Sequence, residues 1–378
     1  MAEERRELAV VGAGLLGLAA GRALAAAGRD VVVLERATVG HERSGSRGPS
    51  RIFRLGYEDP TYVRMARLAR DLWAELEAEA GESLLTVTGQ LDLGVNLDEV
   101  SAAMQAAAVP VEALPAGAVR ERWPGMAWDG PALWEPDSGV LSADRCLEAL
   151  RSCSGAELRE GREVTGIRES ADGVELEIRE RGGPGRRLSC DVVVVCAGAW
   201  NRPLTASAGV ALDLRPTLEQ VAYFRGAGGT DPLELPVFIE RRRREAGSSP
   251  YGLPTFSPGV RRGTYKVAFH GGGPPADPDS VLLGPDPAVD ASLAAVVGRL
   301  LPGLEPRPVA SERCLYDNSP DEGFVVDRVG RVVIGTGTSG HGFKFGPLWG
   351  ALLASLALGT EPPVPLGPFR VGGRFQGS

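Results

Sequence analysis

The sequence predicts an α/β protein: a Rossmann-like domain interrupted twice by a second, α+β domain built on an antiparallel sheet. Three observations carry this reading. The chain opens on a strand–glycine turn–helix–strand unit. Further on, four consecutive valines (Val192–Val195) precede another glycine turn, which reads as a strand buried on both faces at the centre of an α/β sheet. Between them and the C-terminus, from about Thr217 to His270, short β runs alternate with Gly/Pro turns, a pattern that suits antiparallel pairing better than further βαβ units. At 378 residues the chain also exceeds a single hydrophobic core.

Taken in order, Leu8–Val11 is a short apolar strand and Gly12-Ala-Gly14-Leu-Leu-Gly17 the turn that follows it. An alanine-rich helix then runs to about Ala27 and is closed by Gly28; Val31–Leu34 is a second buried strand, ending in Glu35. Gly12 permits the tight turn, Gly14 lets the backbone approach a pyrophosphate, and Gly17 allows helix and strand to pack closely. The helix N-terminus offers N–H groups to phosphate, and Glu35 can accept from a ribose. An acid at that point disfavours a 2′-phosphate and leaves NAD and FAD both open.

A Gly/Ser/Arg-rich stretch (40–54) leads to a helix from Asp59 to about Ala80, with Met65, Leu68, Leu72 and Leu76 on one stripe. Short strands follow at Leu84–Leu93, and small helices near Leu97–Ala108 and Ala143–Ser152. Gly166–Arg179 and Leu188–Ala197 have β character. The tract 271–287 reads as loop, Ala291–Leu301 as a helix stopped by Pro302, Val325–Gly335 as one buried strand, and Leu348–Leu358 as the closing apolar helix. There are no internal repeats.

Net charge is −8 and the pI about 5.2, which argues against general affinity for nucleic acid or an anionic membrane. The basic run Arg241–Arg244 lies between Glu240 and Glu245 and reads as a solvated hairpin or loop. No segment has the apolar length to span a bilayer, and the N-terminus lacks a signal-peptide pattern, so the cytoplasm is the expected compartment. Five cysteines (146, 153, 190, 196 and 314) without metal-like spacing, beside three histidines, predict neither a disulfide framework nor a metal site. Of 41 basic residues only Lys266 and Lys344 are lysine. Lysine surviving such a bias points to something arginine cannot supply, a compact charge able to lose its proton; the plain alternative is chance survival.

Seven motifs then occur in order: Gly12-x-Gly14-x-x-Gly17 with Glu35, Arg51-Ile-Phe-Arg54, Arg122-Trp-Pro-Gly125, Glu135-Pro-Asp-Ser-Gly139-Val, Cys196-Ala-Gly-Ala-Trp200, Cys314-Leu-Tyr316, and Ser339-Gly-His341-Gly-Phe-Lys344-Phe345. Together, over nearly the whole chain, they resemble the monomeric sarcosine oxidase and N-methyltryptophan oxidase family of the D-amino-acid-oxidase superfamily. The resemblance implies FAD as cofactor, a Rossmann-like domain of the GR2 type, and oxidation of the C–N bond of a small secondary or cyclic amino acid to an imine. Dioxygen would be reduced to hydrogen peroxide, and the protein would be a monomer.

Residue by residue, the resemblance implies that Cys314 is bonded through sulfur to the flavin 8α-carbon, a step that needs a thiolate and hence electropositive neighbours. Cys196, on its valine strand, reads instead as a small hydrophobe. Lys266 would promote the reaction with oxygen. Arg54 and Lys344 would hold the substrate carboxylate. Arg51 would stack near the flavin; Tyr251, Tyr316 and His270 would line the pocket, with Ile239 in its wall. His341 would be structural or touch the flavin. The cofactor set is Gly12, Gly14, Gly17, Glu35, Arg36, Arg47, Ser50, Arg51, Val164, Gly198, Trp200, Cys314, Gly340, Gly342 and Lys344, with no metal ligand. The implied division assigns 1–82, 140–212 and 308–378 to the FAD-binding domain, and 83–139 and 213–307 to the substrate-binding domain. Two departures bear on the substrate. Arg47 stands where the family has a histidine four residues before the stacked arginine, and the Ile239–Tyr251 segment is about one residue longer. A dehydrogenase using another acceptor, and a flavin-binding component without turnover, remain open beside the oxidase.

Overall fold

The computed structural model describes residues 4–180, 183–259 and 261–372; the end of the expected 308–378 segment and the Arg244 side chain lie outside the described residues. The first sheet has a parallel centre. Glu4–Val11 lies between Val31–Leu34 and Arg186–Val195, and the second half of Arg186–Val195 pairs with Val332–Thr336 on its other side. Glu157–Arg159 extends the sheet beyond Val31–Leu34, while Gly173–Glu180 and Arg162–Ser170 form an antiparallel ribbon on the first half of Arg186–Val195. The four valines therefore sit mid-sheet. Val192 and Val194 face one apolar cluster and Val193 and Val195 the other, as a two-sided strand must. Helices Leu15–Ala26, Pro60–Ala80, Ala143–Ser152 and Gly346–Leu358 cover the first of these faces.

The second sheet has eight strands. Their order is Ala310–Asn318, Arg215–Phe224, Tyr265–His270, Ser249–Pro254, Val237–Arg241, Gln90–Gly94, Ala132–Glu135 and Glu112–Leu114. Every pair is antiparallel except Val237–Arg241 with Gln90–Gly94, where strands from two distant segments meet. A small third sheet joins Arg51–Phe53 and Leu85–Val87 through Gly139–Leu141. The strand Ala310–Asn318 is laddered to Arg215–Phe224 from Arg215 to Tyr223, so it is a member of the second sheet although the sequence grouped it with the cofactor-side segments.

Two elements differ from expectation. Val325–Gly335 is a hairpin, Val325–Val329 and Val332–Thr336, because Gly330 takes φ +57° and turns the chain. The helix expected at Ala291 begins at Pro287: Asp286 accepts from the Ala288 amide at 2.9 Å and proline occupies the first turn, a start signal inside a tract that composition reads as loop. No helix among the described residues is long and apolar enough to cross a membrane.

Candidate active site

A cavity of about 560 Å³ lies between the carboxyl ends of the parallel strands, at Val11, Leu34, Cys196 and Gly335, and the face of the second sheet. That crevice is where open α/β sheets bind ligands.

At its dinucleotide end the backbone is a cradle. Gly12 has φ +96°, and a Cβ there would stand 2.6 Å from the Cys196 carbonyl oxygen. A Cβ on Gly17 would come within 1.8 Å of the Gly12 carbonyl oxygen, so Gly17 serves helix–strand packing and does not itself line the cavity. The Glu35 carboxylate accepts from Ala13 N (2.8 Å) and Ala37 N (2.9 Å), which fixes it at the end of its strand, facing the cavity. Ser46 accepts from Leu15 N at 3.0 Å and braces the helix start. Gly14, Arg36, Val164, Gly198 and Trp200 line the cavity here, and Arg47 lines it further along, where its carbonyl accepts from Arg51. Arg36 lies 4.5 Å over the Trp200 ring, and both donate to Asp279, each at 2.9 Å. A flavin dinucleotide fits these residues: backbone where a side chain would collide, a helix N-terminus, and an acid placed for a ribose.

At the opposite end four cations converge, and each donates to main-chain carbonyls. Lys266, on the Tyr265–His270 strand and 3% exposed, donates to the Ser50 carbonyl at 2.5 Å. Arg51 donates to the same carbonyl (3.0 Å) and to those of Gly45 and Arg47 (2.9 and 2.6 Å), and lies 5.4 Å from the Phe343 ring. Arg54 donates to Gly56 O at 3.0 Å and stacks 4.0 Å over Tyr57. Lys344, 4% exposed, donates to His341 O at 2.6 Å. Burial, and then the Arg51 charge, pulls the Lys266 amine down to about 7. Burial and Arg54 push Lys344 well below the usual lysine range. Buried cations without an acid partner are costly unless an anion arrives.

Cys314, Tyr316, Tyr251, Ile239 and His270 line the same end, as do Gly340 and Gly342. A Cβ on Gly340 would lie 1.9 Å from the Tyr316 ring, so glycine lets the ring fold over that turn. Burial, followed by Arg54 and Lys344, pushes His270 down to about 4, so it is neutral at pH 7 although it faces the cavity. His341 has Nε2 3.0 Å from the Glu322 carbonyl, Nδ1 3.4 Å from the Tyr57 hydroxyl, and its ring stacked on Phe324. A carbonyl only accepts, so Nε2 carries the proton. At Cys314 the electropositive neighbours are present, in Arg51 and Lys266, yet burial outweighs them and raises the thiol above its ordinary value. Without a ligand the group is a thiol, not the thiolate that attachment requires.

Ser50 does not line the cavity; it reaches the site through the carbonyl that anchors Lys266 and Arg51. Arg241 corrects the reading of the arginine run. Its side chain is 13% exposed, pairs with the wholly buried Asp92 at 2.6 Å and with Glu58 at 3.3 Å, and lines the cavity. Asp92, held ionised by that charge, in turn keeps buried Glu135 protonated, its carboxyl raised to about 8 by burial and by Asp92. Sequence reasoning also missed Glu58, Asn96, Glu312 and Asp279 on the wall. Nothing in the local sequence pointed to Glu58 or to Asp279.

Residues 7–356 match the family described as "DAO: FAD dependent oxidoreductase". The chain belongs to that family. It is 31% identical to the peroxisomal sarcosine oxidase of Homo sapiens, over 96% of this chain and 94% of the relative. It is 30% identical to the monomeric sarcosine oxidase of Bacillus sp. (strain B-0618), over 93% and 92%. Among solved structures, NikD, an unusual amino acid oxidase essential for nikkomycin biosynthesis, in its open form, superposes with a TM-score of 0.84 at 25% identity and covers 97% of both chains. The chain is therefore an FAD-dependent enzyme that oxidises a carbon–nitrogen bond, and its fold is that of this family's oxidases.

Proposed function

We propose that the enzyme oxidises a small secondary or cyclic amino acid to the imine, that dioxygen is the electron acceptor and yields hydrogen peroxide, and that FAD is tethered through Cys314. The observation that carries this reading is the set of four cations, the only two lysines of the chain among them, that line one cavity, each bonded to carbonyls and none ion-paired to an acid among the described residues. The names of the full-length relatives, sarcosine oxidases and an N-methyl-L-tryptophan oxidase, support the substrate class.

Bound FAD would supply the two-electron acceptor. Gly12, Gly14, Glu35, Arg36, Arg47, Val164, Gly198 and Trp200 would hold its dinucleotide, and Gly340 and Gly342 would let the chain pass close to it. Arg54 and Lys344 clamp the substrate carboxylate, and the anion restores the proton affinity that burial removes from Lys344. The pocket polar groups, Tyr251, Tyr316 and neutral His270, orient the amine, which must be unprotonated because an ammonium has no lone pair to support oxidation. Ile239 closes the wall beside it. Arg51, and Lys266 in its protonated form, present positive charge where oxygen gains an electron.

The test is a peroxide-coupled screen of secondary, cyclic and multiply acidic amino acids in air-saturated buffer. Peroxide formed with a secondary or cyclic amino acid is the expected result. Substrate-dependent dye reduction without peroxide would replace oxygen by another acceptor.

A further inference from the structure

Glu219 is a buried acid that the reaction above does not use. It lies on the Arg215–Phe224 strand, 5% exposed, directly opposite Cys314 in the antiparallel ladder. Directly opposed side chains share one face of a sheet, with Cβ atoms about 4.5–5.5 Å apart. The carboxylate accepts from the Thr217 hydroxyl at 2.6 Å and from the Gly273 amide at 3.2 and 3.1 Å. Gly273 is glycine for a steric reason, since a Cβ there would stand 2.7 Å from Glu219 Oε1. No arginine, lysine or histidine among the described residues forms an ion pair with it. A buried carboxylate without a cation lowers stability, so its place behind the one cavity-facing cysteine of this strand calls for a reason.

We infer that Glu219 is the proton acceptor for the Cys314 thiol when the flavin is attached; the inference rests on the covalent reading proposed above. The groups facing the pair are Arg51 and Lys266, which favour one negative charge, Glu312 further along the strand, and the phenols of Tyr251 and Tyr316; His270 ends the neighbouring strand. If the thiol lost its proton to solvent, two anions would face each other across the ladder. Transfer to Glu219 keeps the charge of the pair constant and moves it onto sulfur, which opens on the cavity, while the neutral acid stays behind. The S–H bond breaks with its proton going to the carboxylate, and sulfur bonds the flavin 8-methyl carbon as that carbon loses a proton. The two electrons released pass through the ring to dioxygen. The sum is FAD, thiol and O2 giving thioether-linked FAD and H2O2, with Glu219 returning its proton.

The experiment follows attachment rather than turnover. Full-length apoprotein, produced under riboflavin limitation, is mixed with FAD in air, and the intact mass of the denatured chain is read over time at several pH values. Wild type is expected to gain the mass of FAD, and Glu219→Gln to gain it about 10²-fold more slowly near neutral pH. The deficit should shrink as pH rises and hydroxide replaces the missing base, and Glu219→Asp should recover most of the rate. Flavin fluorescence titration and melting establish that the variants bind FAD without the bond. Attachment in Glu219→Gln at the wild-type rate overturns the inference alone. A deficit that persists unchanged at high pH overturns it in favour of a packing role. A wild type that never gains the mass overturns the covalent reading as well.

Discussion

Lys266 is unfavourable for the fold, and the role proposed for it toward oxygen is what would offset that. Its amine is pulled to about 7 by burial, against an ordinary lysine value of 10.5, so the folded chain binds this proton less tightly than the unfolded chain. Below about pH 7 both states hold the proton and the fold bears the full desolvation penalty; between about 7 and 10.5 only the unfolded chain holds it, and this group's contribution to stability improves as pH rises. Lys266→Met apoprotein should therefore melt higher than wild type at pH 6, by a margin that narrows toward pH 10. In the loaded enzyme the same change should slow flavin reoxidation about 10²-fold while leaving flavin reduction nearly unchanged, as stopped-flow measurement of the two half-reactions would show. Equal slowing of both would remove its role toward oxygen. Rarity made both lysines readable in the sequence. Arg241 was not readable in the same way: its buried partner Asp92 comes from a strand some 150 positions earlier, and only the parallel register of Val237–Arg241 on Gln90–Gly94 brings the two together.

At the scale of the element, the opening strand–turn–helix is the part where local chemistry and tertiary contact agree. Gly12 needs both a positive φ and the absence of a side chain, because the chain returning at Cys196 leaves no room for one. Gly12→Ala should lower stability by about 1–3 kcal/mol and reduce FAD retention, read as a lower melting temperature and less flavin per chain after gel filtration. A variant melting like wild type with full flavin would show that the turn relaxes. Elements whose signals are local, such as the Pro60–Ala80 helix with its Asp59 cap, were legible to within a residue. The hairpin Val325–Thr336 was not, since an apolar run of that length reads equally well as one buried strand until Gly330 is seen to turn. The helix Pro287–Leu300 was shortened in the reading for a related reason, its start signal lying in a Pro/Gly tract that composition assigns to loop.

Over the whole molecule, the cavity is walled by two sheets whose strands interleave along the chain. We propose that the boundary of the substrate-side unit falls after 318 rather than at 307, because the ladder of Ala310–Asn318 with Arg215–Phe224 cannot be divided without exposing its hydrogen bonds. The turn at 277–281 also crosses to the dinucleotide end, where Arg43 donates to the Pro278 and Val281 carbonyls (3.0 and 2.9 Å) and Asp279 meets Arg36 and Trp200. A ligand gripped from both sides stabilises the assembled state. FAD loading should thus raise the melting temperature in one cooperative calorimetric transition, with a gain of about 2.7 kcal/mol at a hundredfold excess over the dissociation constant for reversibly bound flavin. Two separate transitions, only one of them moved by FAD, would show that the sheets unfold independently.

The sequence by itself determined the α/β class, the glycine cradle and the family, and it singled out two rare lysines that line the cavity, because each depends on short-range spacing or on rarity. Tertiary structure alone decided that four cations meet without an ion-paired acid among the described residues, that Arg241 is buried, and that Glu219 stands opposite Cys314. Those facts arise from register and burial between distant segments, and the free energy of a charge is set by what surrounds it in space rather than by its neighbours along the chain.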